Sequence, residues 1–388
     1  MASQHTDKVM FTRREIIATL SATGLVGCAN PPSGAAEPGT GWIVTDGPKV
    51  LGTKLSGQSI VGARADFGLK APFRIASITK LVVGVAIYDW ATEGKLDLNA
   101  PVTKLLPNVP RGVTLANLLA HRSGLKDPEV YWADIDTDIR TLFDDANFTH
   151  PPGSYFRYAN LNYGLAATVV ESSLNERFDL LMWKWLTANG FDAGLNWSGV
   201  SPRKRRQAAA LYRKSETGDW TATVDAPPDI PLASPTYLGR ERAGLKTYQP
   251  GFNGTLFSPQ GGMRMSLRDL LRVGEILHDR PEFHKQVWTN TGNNAETESG
   301  HFLSFGPANY IYPADTSPIS GVPLVGHLGE AYGAYTGLFI VPRTNLTFAF
   351  ARLGTPREGL TMTGTTPNQS IEHQDLFDAL APTLRAHI

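Results

Sequence analysis

Two apolar runs near the C-terminus, residues 336–341 and 346–352, alternate around Pro342-Arg343-Thr344-Asn345. Alternation puts every second side chain on one face, so the pair predicts a β-hairpin. Short strand-like runs stand at the opposite end of the chain, at 42–45, 50–54 and 59–67, split by Asp46-Gly47-Pro48 and Gly57. Between the two ends, helical patterns occupy 77–93, 114–121, 160–173, 178–188 and 266–277, and a further helix closes the chain at 371–386. Strands at both ends with helices between them predict one sheet made from the two termini. The expected class is α/β in the α+β sense: a mixed, mainly antiparallel sheet flanked by helices, plus an inserted, mostly helical domain.

The 388 residues suit two such units. The sheet domain is assigned to 41–105 and 255–388. The helical domain is assigned to 106–254, with an irregular stretch at 201–254 that holds Arg203-Lys204-Arg205-Arg206 and then Pro227, Pro228, Pro231 and Pro235. The basic run reads as a solvated face. With 36 basic and 36 acidic residues the chain has no charge excess to draw it to nucleic acid. No run reaches the roughly 18 apolar residues of a spanning helix.

Residues 1–27 read as an export signal. Arg13-Arg14 precedes a mildly apolar stretch at 16–27, and the pair resembles a twin-arginine signal. Leu25-Val26-Gly27-Cys28 resembles a bacterial lipobox, which makes Cys28 the expected lipidation site and 28–40 a tether. Cys28 is the only cysteine, so no intramolecular disulfide can form. The expected location is outside the bacterial cytoplasm, periplasmic or on the cell surface, held to a membrane through the lipid alone.

The chemistry starts from a spacing that occurs three times. Ser77/Lys80, Ser123/Lys126 and Ser201/Lys204 are all Ser-x-x-Lys. On a helix this spacing places a hydroxyl and an amine one turn apart on one face. A desolvated amine can take the hydroxyl proton and create a nucleophile. Gly124 breaks the second helix and Pro202 interrupts the third pair, whereas Ser77/Lys80 opens an apolar helix able to keep the amine dry. Tyr158-Ala159-Asn160 is the only Tyr-x-Asn, and it offers a phenol and a carboxamide. In isolation these two read more readily as a core cap and a helix cap. His327-Leu328-Gly329 is the only His-x-Gly. Its glycine would allow a close backbone approach, and its histidine in isolation reads as a satisfied polar group on a strand edge.

These segments occur in one order: Phe73-Arg74-Ile75-Ala76-Ser77-Ile78-Thr79-Lys80, Gly94-Lys95-Leu96-Asp97, His121-Arg122-Ser123-Gly124-Leu125, Tyr158-Ala159-Asn160, Gly261-Gly262-Met263 and Gly326-His327-Leu328-Gly329. The set resembles the serine β-lactamase-related hydrolases, in particular the class C-like branch, over about residues 40–388. That resemblance implies a cleft between a sheet domain and a helical domain. It implies Ser77 as nucleophile, Lys80 and Tyr158 as proton-handling groups, and Asn160, His327, Gly329 and Glu330 at the substrate and oxyanion positions. It implies acyl-enzyme chemistry with no metal and no organic cofactor.

Where the family commonly has Lys-Thr-Gly, this chain has His327 and Leu328. A mostly neutral imidazole and a leucine are poor ligands for a substrate carboxylate. The expected substrate is therefore a small ester or amide, on the pattern of a carboxylesterase. A DD-carboxypeptidase, a D-aminopeptidase, a weak β-lactamase and an idle peptidoglycan-binding member are the alternatives. Glu330 would repel acidic substrates or attract an amine, and Arg264 or Arg352 could restore carboxylate binding. No Gly-x-Ser-x-Gly elbow and no His-Glu-x-x-His occurs, which disfavours an α/β-hydrolase and a zinc hydrolase.

Overall fold

The computed structural model describes residues 36–63, 65–225, 244–295, 301–355 and 361–388, together with the backbone of 236–237 and 240–241. The export signal and Cys28 lie outside the described residues. An antiparallel sheet of eight strands forms the centre. Its strands are β1 (Thr40–Asp46), β2 (Lys49–Ser56), β3 (Trp288–Thr289), β4 (Ser304–Phe305), β5 (Tyr310–Tyr312), β6 (Leu324–Ala331), β7 (Ala334–Ile340) and β8 (Leu346–Arg352). Their spatial order is β2-β1-β8-β7-β6-β5-β4-β3. The first strand pairs with the last, Thr40 opposite Arg352 and Asp46 opposite Leu346, so the two ends of the chain close one sheet.

Alternation on the central strands sorts two cores. Ile43, Leu338 and Ala349 face one way and join the core that contains α5 (Leu267–His278). Trp42, Phe339, Phe348 and Phe350 face the other way and meet Phe377, Leu380 and Leu384 of α6 (Ile371–Arg385). Phe377 is fully buried, edge-on to Phe350 at 5.1 Å. Burial of one such ring stabilises the fold by about 1.5–3 kcal/mol.

α1 (Ile78–Thr92) runs through the first core and is buried on nearly all sides from Ile78 to Ile87. Gly84 lets it come close to the segment before β5: a Cβ there would lie 2.3 Å from Ala308 Cβ. The helical side of the molecule carries α2 (Leu115–Leu119), α3 (Leu161–Leu174) and α4 (Phe178–Ala188). Thr114 and Asn117 close a capping box at the start of α2.

Two stretches depart from the sequence expectation. Residues 59–67 are not a strand. Gly57 and Gly62 take positive φ of 77° and 84°, and the segment folds back on itself through a single bridge between Gln58 and Asp66. The stretch expected to be irregular holds a hairpin, Leu211–Lys214 with Trp220–Val224, joined by Gly354–Thr355 into a three-stranded sheet. Its two strands are short, and only Leu211 and Tyr212 of them are buried, so no buried apolar face announces it.

Candidate active site

Ser77 sits at the start of α1 in a constrained turn. The preceding Ala76 has φ of +51°, a left-handed conformation that costs an alanine energy. The turn is fixed from two sides. Ile75 N–H donates to Met263 O at 3.0 Å, and Thr336 Oγ1 donates to Ile75 O at 3.0 Å. Gly329 of β6 faces the same carbonyl, where a Cβ would lie 2.5 Å from Ile75 O and 3.2 Å from Ala76 Cβ. Only a glycine allows the strand this close, so Gly329 brings the neighbouring Glu330 backbone to the start of α1.

Lys80 is fully buried one turn into α1. Its Nζ lies 3.0 Å from Ser77 Oγ, 3.0 Å from Asn160 Oδ1 and 2.7 Å from Gln260 O. Burial lowers its pKa to about 7 against the partial opposition of Asp127, whose charge favours the ammonium. Tyr158 hydrogen-bonds to Ser77, and Lys80 Nζ is 4.8 Å from the centre of its ring. Burial pushes the Tyr158 phenol well up, so the residue is a phenol at neutral pH and not the phenolate a nearby ammonium would favour. Its ring is held between His121, stacked at 4.2 Å, and Phe302, stacked at 5.1 Å.

Asn160 stands at the N-cap of α3, just before Leu161, but its side chain makes no cap. Asp127 supplies the cap from another segment. Its Oδ2 accepts from Asn160 N at 2.7 Å and Asn160 Nδ2 at 3.2 Å, and its Oδ1 accepts from Leu161 N at 2.8 Å. The Asn160 side chain is thereby occupied at both ends, by Asp127 and by Lys80.

His327 lies inside β6, opposite Leu338, and is fully buried. Burial and then the nearby Lys80 lower its pKa to about 3, so it is neutral. It faces Tyr310 at 4.9 Å and Tyr158 at 6.3 Å. Leu328 points into the α6 core. Glu330 is exposed at the end of β6. Desolvation of its carboxyl, and then the charge of Glu372, lift its pKa to about 7, with Arg213 opposing. Neither arginine held in reserve is free. Arg264 is buried against Asp225 at 2.9 Å, and Arg352 pairs with Asp375 at 3.2 Å.

Ser77, Lys80, Tyr158, Asn160, His327 and the Gly329-Glu330 backbone therefore converge on one place. The other two Ser-x-x-Lys pairs serve the fold. Ser123 Oγ donates to Asn162 Oδ1 at 2.6 Å while Lys126 is exposed. Ser201 caps a short helix and donates to Asp192 at 2.5 Å, and Lys204 pairs with Asp269. Asp127, His121 and Phe302 are the neighbours that sequence reasoning missed. Asp127 simply precedes Pro128, His121 ends the 114–121 helical pattern, and nothing local ties Phe302 to Tyr158. Among the described residues, no group of three or more His, Cys, Asp or Glu is placed to hold a metal, and no helix is long and apolar enough to cross a membrane.

A family model described as Beta-lactamase matches residues 24–359. Esterase EstB of Burkholderia gladioli is 31% identical over 247 residues, which cover 54% of this chain and 58% of the esterase. Protein flp of Staphylococcus aureus (strain N315) is 27% identical over 155 residues, 36% of this chain and 31% of that protein. The chain thus spans just over half of the length of the esterase and about a third of that of protein flp. Among solved structures, the octameric penicillin-binding protein homologue from Pyrococcus abyssi superposes with a TM-score of 0.65 at 20% identity, covering 90% of this chain and 74% of the other. D-amino acid amidase from Ochrobactrum anthropi SV3 superposes with a TM-score of 0.62 at 18% identity, covering 90% and 93%. At such identities the two superpositions speak for the fold, a large antiparallel sheet flanked by helices.

Proposed function

Because this chain belongs to the beta-lactamase family, we propose that it is a serine hydrolase that works through an acyl-enzyme on a small, uncharged ester. One observation carries the reading: a buried amine with a pKa of about 7 lies 3.0 Å from the Ser77 hydroxyl. At neutral pH about half of such amines are unprotonated and able to accept a proton.

In the proposed reaction, Ser77 Oγ attacks the ester carbonyl carbon and its proton passes to Lys80 Nζ. The oxyanion is held by the backbone N–H groups of Ser77, at the start of α1, and of Glu330. Collapse of the tetrahedral intermediate breaks the bond to the leaving alkoxide, which takes a proton from Lys80 through the Tyr158 hydroxyl. Water then attacks the acyl-Ser77 ester, activated by the same amine, and releases the acid. No step needs a metal or an organic cofactor.

The preference for uncharged substrates is supported by the cleft's electrostatics. His327 is neutral, Leu328 is turned into the core, and Arg264 and Arg352 are engaged elsewhere. A second reading, amide hydrolysis on a substrate bearing a free amine, is favoured by the exposed Glu330 beside the oxyanion position. A panel of short-chain p-nitrophenyl esters, D-amino-acid p-nitroanilides and nitrocefin, assayed on the soluble form starting after Asn30, ranks these readings. Esters turned over fastest is the expected result. Anilides in the lead would move the assignment to an amidase, and nitrocefin in the lead would overturn the uncharged-substrate reading.

A further inference from the structure

We propose that Asp127 is a positioning residue of this site: it turns the Asn160 carboxamide so that its oxygen faces Lys80, leaving the amine's lone pair to the Ser77 hydroxyl. The inference rests on the serine-nucleophile reading above.

The argument is one of donors and acceptors. A carboxylate only accepts, so the end of the Asn160 amide that meets Asp127 Oδ2 at 3.2 Å is the NH2. The end that meets Lys80 Nζ at 3.0 Å is then the oxygen. A neutral Lys80 has two N–H bonds and one lone pair. Asn160 Oδ1 and Gln260 O accept the two hydrogens, and the third polar neighbour is Ser77 Oγ at 3.0 Å. The lone pair therefore points at the serine. With the amide reversed, Asn160 would donate into that lone pair and compete with the proton Ser77 must give up. Asp127 prevents the reversal, and it also caps α3 through Asn160 N and Leu161 N, work the Asn160 side chain would otherwise do.

Asp127 also bears on the charge of the amine. Lys80 is faced by Tyr158 and Tyr163, with ring centres at 4.8 and 5.6 Å, by His121 and His327, and by Asp127. Burial keeps the two phenols and the two imidazoles neutral. Asp127 is thus the neighbour in this set whose charge favours the ammonium.

The test is a pH profile of ester hydrolysis for wild type, Asp127→Asn, the swap Asp127→Asn/Asn160→Asp, and Ser77→Ala. Asp127→Asn is expected to lower kcat about 100-fold with KM within about twofold, the mark of a misaligned reacting group. Its acid limb is expected to move below that of wild type by about one pH unit, since a favourable charge is gone. The swap returns an oxygen to face Lys80 but puts the charge in direct contact, so its limb is expected to move above wild type. A plain helix cap would lower the melting temperature and leave both limbs in place, and that outcome overturns the proposal. If Asp127→Asn fails to fold, the swap's limb carries the test, and a limb at the wild-type position overturns it. Ser77→Ala separates the two failures. Activity that survives it overturns the nucleophile assignment and this inference together. If Ser77→Ala is dead while Asp127→Asn matches wild type, only this inference falls.

Discussion

Lys80 Nζ and Ser77 Oγ lie 3.0 Å apart, one turn from each other on a helix that is buried on nearly every side. The chain repeats the Ser-x-x-Lys spacing twice more, yet those serines hold helix caps and loop turns. Burial, not spacing, turns one of three similar pairs into a hydroxyl beside a usable base.

The pH dependence follows with a definite sign. The proposed base is the neutral amine of Lys80, whose pKa is lowered from 10.5 to about 7. kcat/KM for an uncharged ester should rise tenfold per unit below about pH 7 and level off above it. Lys80→Arg, which keeps its charge at any working pH, should abolish turnover across the range. A profile flat from pH 5 to 9 would exclude Lys80 as the base.

Tyr158→Phe keeps the ring between His121 and Phe302 and removes only the hydroxyl. Loss of a proton relay should lower kcat by about 10²–10⁴ with little change in KM. Stopped-flow and steady-state assays on one ester check this. A kcat within threefold of wild type would contradict the relay.

Nitrocefin carries a carboxylate, whereas His327 is neutral and Arg264 and Arg352 are engaged elsewhere. Its turnover should run about 100-fold or more below that of a short-chain p-nitrophenyl ester, a gap of about 2.7 kcal/mol in barrier. Parallel kcat/KM measurements decide it, and the reverse ranking would refute the electrostatic reading.

Gly84→Ala separates helix propensity from packing. Alanine in mid-helix gains about 0.5–1 kcal/mol over glycine. The added Cβ, however, would sit 2.3 Å from Ala308 Cβ, and overpacking typically costs about 1–3 kcal/mol. The clash should win, and the midpoint of chemical denaturation should fall.

Cys28 belongs to a separate proposal, that the chain is exported and held by a lipid. Cys28→Ser should move the protein from the membrane fraction to the soluble one on cell fractionation. Unchanged membrane association would end the lipobox proposal.

The strongest periodic segments were legible in the sequence. The 346–352 run became Leu346–Arg352 and the closing helix Ile371–Arg385, because alternation and a 3.6-residue stripe are themselves statements of burial. The 59–67 run misled because its apolar residues lie in a loop set by Gly57 and Gly62. At the site, the residues with distinctive spacing could be named, whereas their supports could not. Asp127 reaches Asn160 across 33 positions, and Phe302 comes to Tyr158 from a different segment of the chain. Such pairs are set by the tertiary fold and leave no local pattern. The role of Asn160 shifted for the same reason, since a distant carboxylate took over its cap.

The nucleophile can be tested most directly by mass. Wild type and Ser77→Ala are incubated with a fluorophosphonate, and intact and peptide masses are read. The account predicts one phosphonyl adduct in the wild type, on the peptide that contains Ser77, and none in the variant. An adduct on another serine, or equal labelling of Ser77→Ala, would contradict it.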